Sequence, residues 1–360
     1  MKYFKLFLIG LVIFLLIIAV NAAWNNGYYE NDLDEIYHTE YAGGKWWHRP
    51  TLNNNGSCTN SKDADRIAID EDRLYLMTSI YNADGLKGYV HAYNKTTCSQ
   101  LWTTAIDDEY HLYGLQVDEN YVYTTRVRNN DLYILYKENG TIKDNWDVGC
   151  AGDFGILNDE IYIMCGKEEA NNNMYAYYMN NESLKWSVSR SGDGESAVAV
   201  TDDFVLMCYA PICYIKNKDN GATICYDNGD ISINGGGAAS CYNNTCVIPS
   251  DKPGSHQGLT TINKSCDTDV YRNGAATYRG VAIDDSHVYA VGDTDGLIRC
   301  EYDGITLSNC ARHTKNIYSD YGRDISWTSG NIYSDGTSTT TTTTTTTTII
   351  TTSTTLNCDD

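Results

Sequence analysis

What this sequence lacks narrows its function before any motif is considered. After the apolar run from Leu6 to Val20 there is no second long hydrophobic stretch, so the rest of the chain is not read as membrane-spanning helix. Positive charge is scarce. The 26 Lys and Arg stand against 47 Asp and Glu, for a net charge of −21 and a pI near 4.6, and no basic cluster offsets this. Such a surface repels phosphate backbones, which argues against a nucleic-acid partner, and otherwise serves solubility. No C-x2-C pair occurs, although zinc sites usually show such close spacing. The seven histidines are scattered, with no HExxH and no Ser-His-Asp arrangement. Helical 3.6-residue periodicity is also missing, which excludes helical solenoids. No catalytic residue, cofactor-binding residue or metal ligand is therefore assigned. Asp293-Thr294-Asp295-Gly296 resembles the start of a calcium loop, but the later ligands and a Glu at loop position twelve are wanting. An Asp-Gly between strands reads first as a hairpin turn.

What is present points outside the cell. Met1-Lys2-Tyr3-Phe4-Lys5 precedes the apolar run and Asn21-Ala22-Ala23-Trp24 follows it. A positive start, an apolar middle and small residues read as an export signal over residues 1–23, with cleavage after Ala22 or Ala23. The run is 15 residues, against the roughly 20 that a spanning helix needs; an uncleaved N-terminal anchor is the alternative and the only membrane attachment expected. The expected location is secreted or cell-surface. The 13 cysteines suit that destination, where thiols oxidise and pair. Sequence alone does not fix connectivity, but nearness in the register described below favours Cys58–Cys98, Cys150–Cys165, Cys208–Cys213, Cys225–Cys266, Cys241–Cys246 and Cys300–Cys310. Cys358 is left over in the tail, where it could join another chain. From Thr337 to Thr355 nearly every residue is Thr or Ser. Residues 337–360 cannot bury a core and read as a disordered tail, either an O-glycosylated stalk or a passive linker.

Between these ends, residues 24–336 repeat one phrase: an alternating apolar strand, a short acidic or Asn turn, and a second strand with an aliphatic residue and often Tyr. It runs Ile67-Ala68-Ile69-Asp70 with Arg73-Leu74-Tyr75, then Leu115-Gln116-Val117-Asp118 with Tyr121-Val122-Tyr123. Further copies are Phe154-Gly155-Ile156 with Glu160-Ile161-Tyr162, and Val198-Ala199-Val200 with Phe204-Val205-Leu206. Ala239-Ser240-Cys241 with Thr245-Cys246-Val247 is weaker. Val281-Ala282-Ile283 with His287-Val288-Tyr289 and Ile325-Ser326-Trp327 with Asn331-Ile332-Tyr333 complete the set. Positions 74, 122, 161, 205, 246, 288 and 332 are spaced by 48, 39, 44, 41, 42 and 44 residues. Two more strand candidates follow most copies, as in Tyr89–Tyr93 and Cys98–Trp102. A period of about 40–45 residues with four strands per unit is the signature of propeller blades.

The apolar strand, acidic turn, aliphatic-Tyr strand, Tyr-Ala-Tyr of residues 175–177, Lys/Asn/Gly turn and closing Trp (Trp102, Trp146, Trp186) resemble the PQQ-like (quinoprotein-type), WD40-like β-propeller repeat. The resemblance covers nearly all of residues 24–336 and is loosest around 226–272. It implies scaffold rather than chemistry. The quinoprotein dehydrogenases of this family use a vicinal Cys-Cys pair and a metal in a longer chain, and this sequence has no adjacent cysteines. The expected fold is an all-β, seven-bladed propeller of four-stranded antiparallel blades. The last copy supplies inner strands near 324–335, and Glu35–Thr39 with Lys45–Trp47 looks like the outer two strands of the same blade. A shared blade removes free sheet edges. A six-bladed ring with a loose N-terminal arm is the alternative.

Loops joining the last strand of one blade to the first of the next form one face, with Tyr110, His111, Tyr113, Tyr271, Arg279, His313, Tyr318 and Arg323 as candidate ligand contacts. Aromatics and arginines near a channel mouth are recognition material, although ring loops are also polar and Tyr-rich for structural reasons. Six N-x-Ser/Thr sequons lie at Asn55, Asn94, Asn139, Asn181, Asn243 and Asn263, four of them in third-to-fourth strand turns. Turns suit glycosylation, and turns also favour Asn and Thr on their own account. The sequence thus reads as a non-enzymatic extracellular recognition or adhesion module for a protein or glycan. The alternatives are a quinone-type oxidoreductase or glycan-acting propeller enzyme, and a structural cell-envelope component.

Overall fold

The computed structural model describes residues 36–40, 64–312 apart from short loop segments, and 322–327. The signal, Cys58, Cys98, Asn55, Asp293–Asp295 and the Thr-rich tail lie outside the described residues. So do Tyr110, His111, His313 and Tyr318. All the regular structure described is β. Strand β1 (Ile36–Glu40) comes first, followed by β2 (Ala64–Ile69), β3 (Arg73–Asn82), β4 (Gly85–Asn94) and β5 (Gln100–Asp107) as the first sheet. The second sheet is β6 (Leu112–Val117), β7 (Tyr121–Arg126), β8 (Asp131–Tyr136) and β9 (Ile142–Asp147). The third is β10 (Phe154–Leu157), β11 (Glu160–Met164), β12 (Asn173–Tyr178) and β13 (Ser183–Ser189). The fourth is β14 (Ser196–Val200), β15 (Phe204–Tyr209), β16 (Ile212–Asn217) and β17 (Thr223–Asn228). The fifth is β18 (Ser240–Tyr242), β19 (Thr245–Lys252), β20 (His256–Asn263) and β21 (Thr268–Arg272). The sixth is β22 (Tyr278–Ile283), β23 (His287–Gly292), β24 (Gly296–Tyr302) and β25 (Leu307–Arg312), and β26 (Gly322–Trp327) follows. Each four-stranded sheet is an antiparallel meander in chain order.

The acidic turn of the repeat sets the first hairpin. Asp70 Oδ1 accepts the Asp72 and Arg73 N–H groups at 3.1 and 2.8 Å, and Asp118 Oδ1 accepts those of Asn120 and Tyr121, both at 2.7 Å. Asp284 accepts the Ser286 and His287 N–H groups, both at 2.6 Å, and Thr201 substitutes its hydroxyl in the fourth sheet. A short polar side chain that holds two backbone donors makes the turn without a protein partner elsewhere. Asn158 and Asp159 solve the problem differently, with φ of 52° and 60°, as a two-residue hairpin of the primed type requires.

One rung of the ladder explains the repeat in the first and third sheets. It reads Ala68–Tyr75–Ala92–Trp102 in the first sheet and Gly155–Tyr162–Ala176–Trp186 in the third. Small residues on strands one and three leave room for the large rings on two and four, with Tyr–Trp centroids 6.0 Å apart in both sheets. Alternating size is how facing layers interdigitate at native density. The closing Trp then docks on the following sheet. Trp102 Nε1 donates to Lys137 O at 2.9 Å and Trp186 Nε1 to Lys218 O at 2.8 Å. At the same rung position the fourth sheet carries Cys225, joined to Cys266 of the fifth, and the fifth carries Asp269, which accepts the Leu307 N–H at 2.9 Å. One location is thus filled by an indole, a disulfide or a carboxylate, each tying a sheet to the next. The cores run between neighbouring sheets, as in the cluster of Tyr162, Trp186, Val198, Val200 and Met207.

The chain ends depart from the sequence reading. Residues 36–40 were expected on outer strands, with 331–333 beside 325–327. Instead β1 pairs directly with β26, Ile36 opposite Trp327 and Tyr37 opposite Ser326. This is the register of every first hairpin: Ile283 faces Val288 and Ala282 faces Tyr289, and Ile69 faces Leu74 with Ala68 facing Tyr75. Ile36-Tyr37 is itself an aliphatic-Tyr pair, the mark of a second strand, and its partner Ser326 is the small residue that a Tyr rung needs. Strand β26 packs against both β22 and β2.

Candidate functional site

Two places gather polar side chains near sheet junctions. The first lies where inner strands begin. Asp153, just before β10, accepts the Val198 N–H of the next sheet at 2.9 Å through Oδ2. Burial pushes its carboxyl up to about 6, opposed by the charge of Arg66 on β2 and by the N–H groups of Val198 and Phe154. Gln116 of β6 reaches across to β10, donating from Nε2 to Phe154 O and accepting the Ile156 N–H at 2.9 Å. The Thr125 hydroxyl donates to Gly152 O at 2.8 Å. These residues lock neighbouring inner strands together, and each sits in the core rather than in a cavity.

The second is a groove of about 550 Å³ between the fifth and sixth sheets. It is lined by Tyr242, Asn243, Asn244 and Thr245 around the β18–β19 turn, Asn263 at the end of β20, Asp285 from the β22–β23 turn, Tyr302 at the end of β24, and Asp303 and Gly304 after it. Its size is that of a small-ligand site. Some of this polarity is already spent. The Thr245 hydroxyl donates to Gly304 O, and Asn263 closes its own turn, accepting the Ser265 and Asp267 N–H groups and donating to Asp267 Oδ2 at 3.0 Å. Asn243 and Asn244 are exposed, as is Asp285. Burial, then the Asp284 charge, holds the Tyr302 phenol far above its usual range, so it stays a neutral donor and acceptor. Two phenols, two outward amides and two carboxylates beside ring faces suit a ligand rich in hydroxyls. Among the described residues no group of three or more His, Cys, Asp or Glu is placed to hold a metal.

This groove was not foreseen, because it forms where four turns of two neighbouring sheets meet, opposite the strand ends that carry the predicted ligand loops. Of the predicted contacts, Tyr113 lies on β6, innermost in its sheet, and Tyr271 on β21, outermost in its own, where it packs into the fifth–sixth core. The structure does not bring these two together. Arg279 and Arg323 take matching places near the starts of β22 and β26.

Among the described residues five disulfides are formed: Cys150–Cys165, Cys208–Cys213, Cys225–Cys266, Cys241–Cys246 and Cys300–Cys310. Four close within one sheet or its adjoining loop and one links two sheets. Such density fits an oxidising, non-cytoplasmic compartment. Among the described residues no helix is long and apolar enough to cross a membrane.

The chain matches no family model and no curated protein. Among solved structures it is similar to BamB from Moraxella catarrhalis, at 12% identity and a TM-score of 0.50, over 78% of this chain and 85% of that one. It is also similar to the computationally designed Ika8 protein, at 8% identity and a TM-score of 0.54, over 77% of this chain and 95% of that one. At such identities the likeness concerns fold alone, and the fold is a β-propeller.

Proposed function

We propose that the chain is an exported, non-enzymatic recognition module whose groove between the fifth and sixth sheets binds a glycan. The observation that carries this reading is the groove itself, with Tyr242 and Tyr302 beside the exposed Asn243, Asn244 and Asp285. Sugars present an apolar ring face to aromatics and paired hydroxyls to amides and carboxylates. The frame is a seven-bladed ring, its seventh blade begun by β26 and continued by β1. That closure is supported by the shared hairpin register of Ile36 and Trp327 and by the packing of β26 against both β22 and β2. Export is supported by the signal-like residues 1–23 and the five disulfides. A rigid, stapled frame holding a pre-formed polar groove lowers the ordering cost of binding.

The test is a glycan array probed with the folded chain and with Asn244→Ala and Asp285→Ala, two exposed positions whose loss leaves the core intact. Each variant is expected to weaken the best ligand roughly tenfold, the loss of one hydrogen bond to a polar ligand. A blank array, or binding that both variants leave unchanged, would overturn the assignment.

A further inference from the structure

The sequons differ sharply once placed in their turns. In the β8–β9 turn, Thr141 gives both its N–H (2.9 Å) and its hydroxyl (2.7 Å) to Asn139 Oδ1. In the β12–β13 turn, Ser183 does the same to Asn181 Oδ1, at 3.1 and 2.6 Å. The amide oxygen is therefore held inward by the sequon's own hydroxyl residue, and Nδ2 is left facing solvent on an exposed side chain. Three residues before each asparagine stands an exposed tyrosine, Tyr136 (43%) and Tyr178 (39%), and three residues after it an exposed aliphatic, Ile142 (44%) and Leu184 (51%). Each pair sets apolar surface beside its sequon, with the Tyr136 ring against Tyr121 and the Tyr178 ring near Lys185 Nζ, leaving the rest of each ring open to solvent.

The other sequons are built differently. Asn94 and Asn263 occupy the first position of their turns, where Asn94 Oδ1 accepts the N–H and hydroxyl of Thr97, a residue beyond its sequon, at 2.8 and 2.9 Å, and Asn263 has both ends of its amide engaged. There the asparagine makes the turn. At Asn243 the sequon hydroxyl, on Thr245, is buried and committed to Gly304 O. The fourth sheet supplies an internal control. Its turn Asn217–Ala222 has the same frame as Tyr136–Thr141: Gly221 donates to Asn217 O at 2.9 Å where Gly140 donates to Tyr136 O at 2.8 Å, with φ of 71° and 70°. Asn220-Gly221-Ala222 lacks the sequon hydroxyl, and the position held elsewhere by tyrosine is Asn217. In these three turns, of the second, third and fourth sheets, ring and sequon hydroxyl are present together or absent together.

We propose that Asn139 and Asn181, alone among the five described sequon asparagines, carry N-linked glycans, and that Tyr136 and Tyr178 seat the first sugar ring. This rests on the export reading, since the donor is met outside the cytosol. In the transfer, the asparagine Nδ2 attacks C1 of an oligosaccharide activated as a polyprenyl pyrophosphate. The N–C1 bond forms, the C1–O bond to pyrophosphate breaks, and the amide proton passes to a base of the transferase as the lipid pyrophosphate leaves. The apolar face of the attached ring then lies on the tyrosine, whose π face attracts its C–H groups.

The experiment supplies a purified oligosaccharyltransferase and its lipid-linked donor to the folded, disulfide-bonded chain, and reads occupancy at every sequon by glycopeptide mass spectrometry. Because the enzyme is supplied, the result does not depend on export, which is scored separately by secretion of the chain from cells. Transfer is expected at Asn139 and Asn181 and not at Asn94, Asn243 or Asn263. The glycosylated chain should melt above the bare one, and Tyr136→Ala with Tyr178→Ala should abolish that difference while leaving the sequons intact. No transfer to Asn139 and Asn181, equal transfer to all five, or a melting difference that survives loss of both tyrosines would each overturn the proposal.

Discussion

Replacing Gly140 by alanine tests how one sheet is fastened to the next. Gly140 has a φ of 70°, in the left-handed region, and a Cβ built there would sit 2.5 Å from Trp102 Cε3 and 2.6 Å from Thr104 Oγ1. Two penalties follow. The backbone conformation costs an alanine about 1 kcal/mol or somewhat more, and forcing a methyl into a filled contact costs about 1–3 kcal/mol. Moving the indole aside also endangers the Trp102 N–H bond to Lys137 O and the Thr104 hydroxyl bond to Gly140 O, at about 1 kcal/mol each. A loss of roughly 3–5 kcal/mol is expected, or a thermal midpoint lowered by roughly 5–15 °C. Gly149 is the control: its φ of 79° is close to that of Gly140, and the nearest atom to a Cβ there is Tyr177 Oη at 3.2 Å, so Gly149→Ala carries mainly the backbone cost. Thermal unfolding followed by tryptophan fluorescence reads both. Equal shifts for Gly140→Ala and Gly149→Ala would refute the docking argument, because the two share a left-handed backbone and differ mainly in what lies above the methyl.

Asp153 gives a pH prediction. Its folded carboxyl titrates at about 6 against an ordinary 3.8, so the native state binds a proton that the unfolded state has lost, and stability falls as pH rises through that window. Two units correspond to roughly 3 kcal/mol. Asp153→Asn keeps an oxygen for the Val198 N–H and removes the ionisation, so its stability difference from the parent should change by about that much between pH 4 and 6 and be flat above; a constant difference would contradict the burial argument. Cys225→Ser with Cys266→Ser opens a link of sequence separation 41 and should cost about 4 kcal/mol in denaturant unfolding, against about 2 kcal/mol for Cys241→Ser with Cys246→Ser, separation 5. A larger loss at the short link would count against the chain-entropy account.

The blade unit was legible because its physics is local. Asp70, Asp118 and Asp284 announce hairpins through their own turns, and the pairing of Leu74 with Ile69 follows from a five-residue offset that recurs along the chain. Neighbouring cysteines were legible for the same reason, since Cys208 and Cys213 oppose one another across a hairpin. The role of Ile36-Tyr37 was written in the sequence and misassigned: the aliphatic-Tyr pair marks a second strand, but its first strand is almost 290 residues away and local spacing offered a nearer candidate in Ile332-Tyr333. Apart from the Cys225–Cys266 link, interactions between sheets left no such trace. Nothing near Gln116 indicates that it clamps β10, and nothing near Asp285 indicates that it shares a groove with Tyr242. The sequons looked alike as tripeptides, and only the turn position separates Asn139 and Asn181 from Asn94 and Asn263.

The pairing of β1 with β26 carries the proposed ring closure, because β26 packs against both β22 of the sixth sheet and β2 of the first. The most direct measurement replaces Tyr37 and Ser326 together by cysteine, oxidises the folded chain and maps its disulfides by mass spectrometry. Residues in register across β1 and β26 should yield a 37–326 cross-linked peptide with the five native links retained. If both new thiols stay reduced while those five links remain intact, the ends do not meet and the proposed ring is not closed.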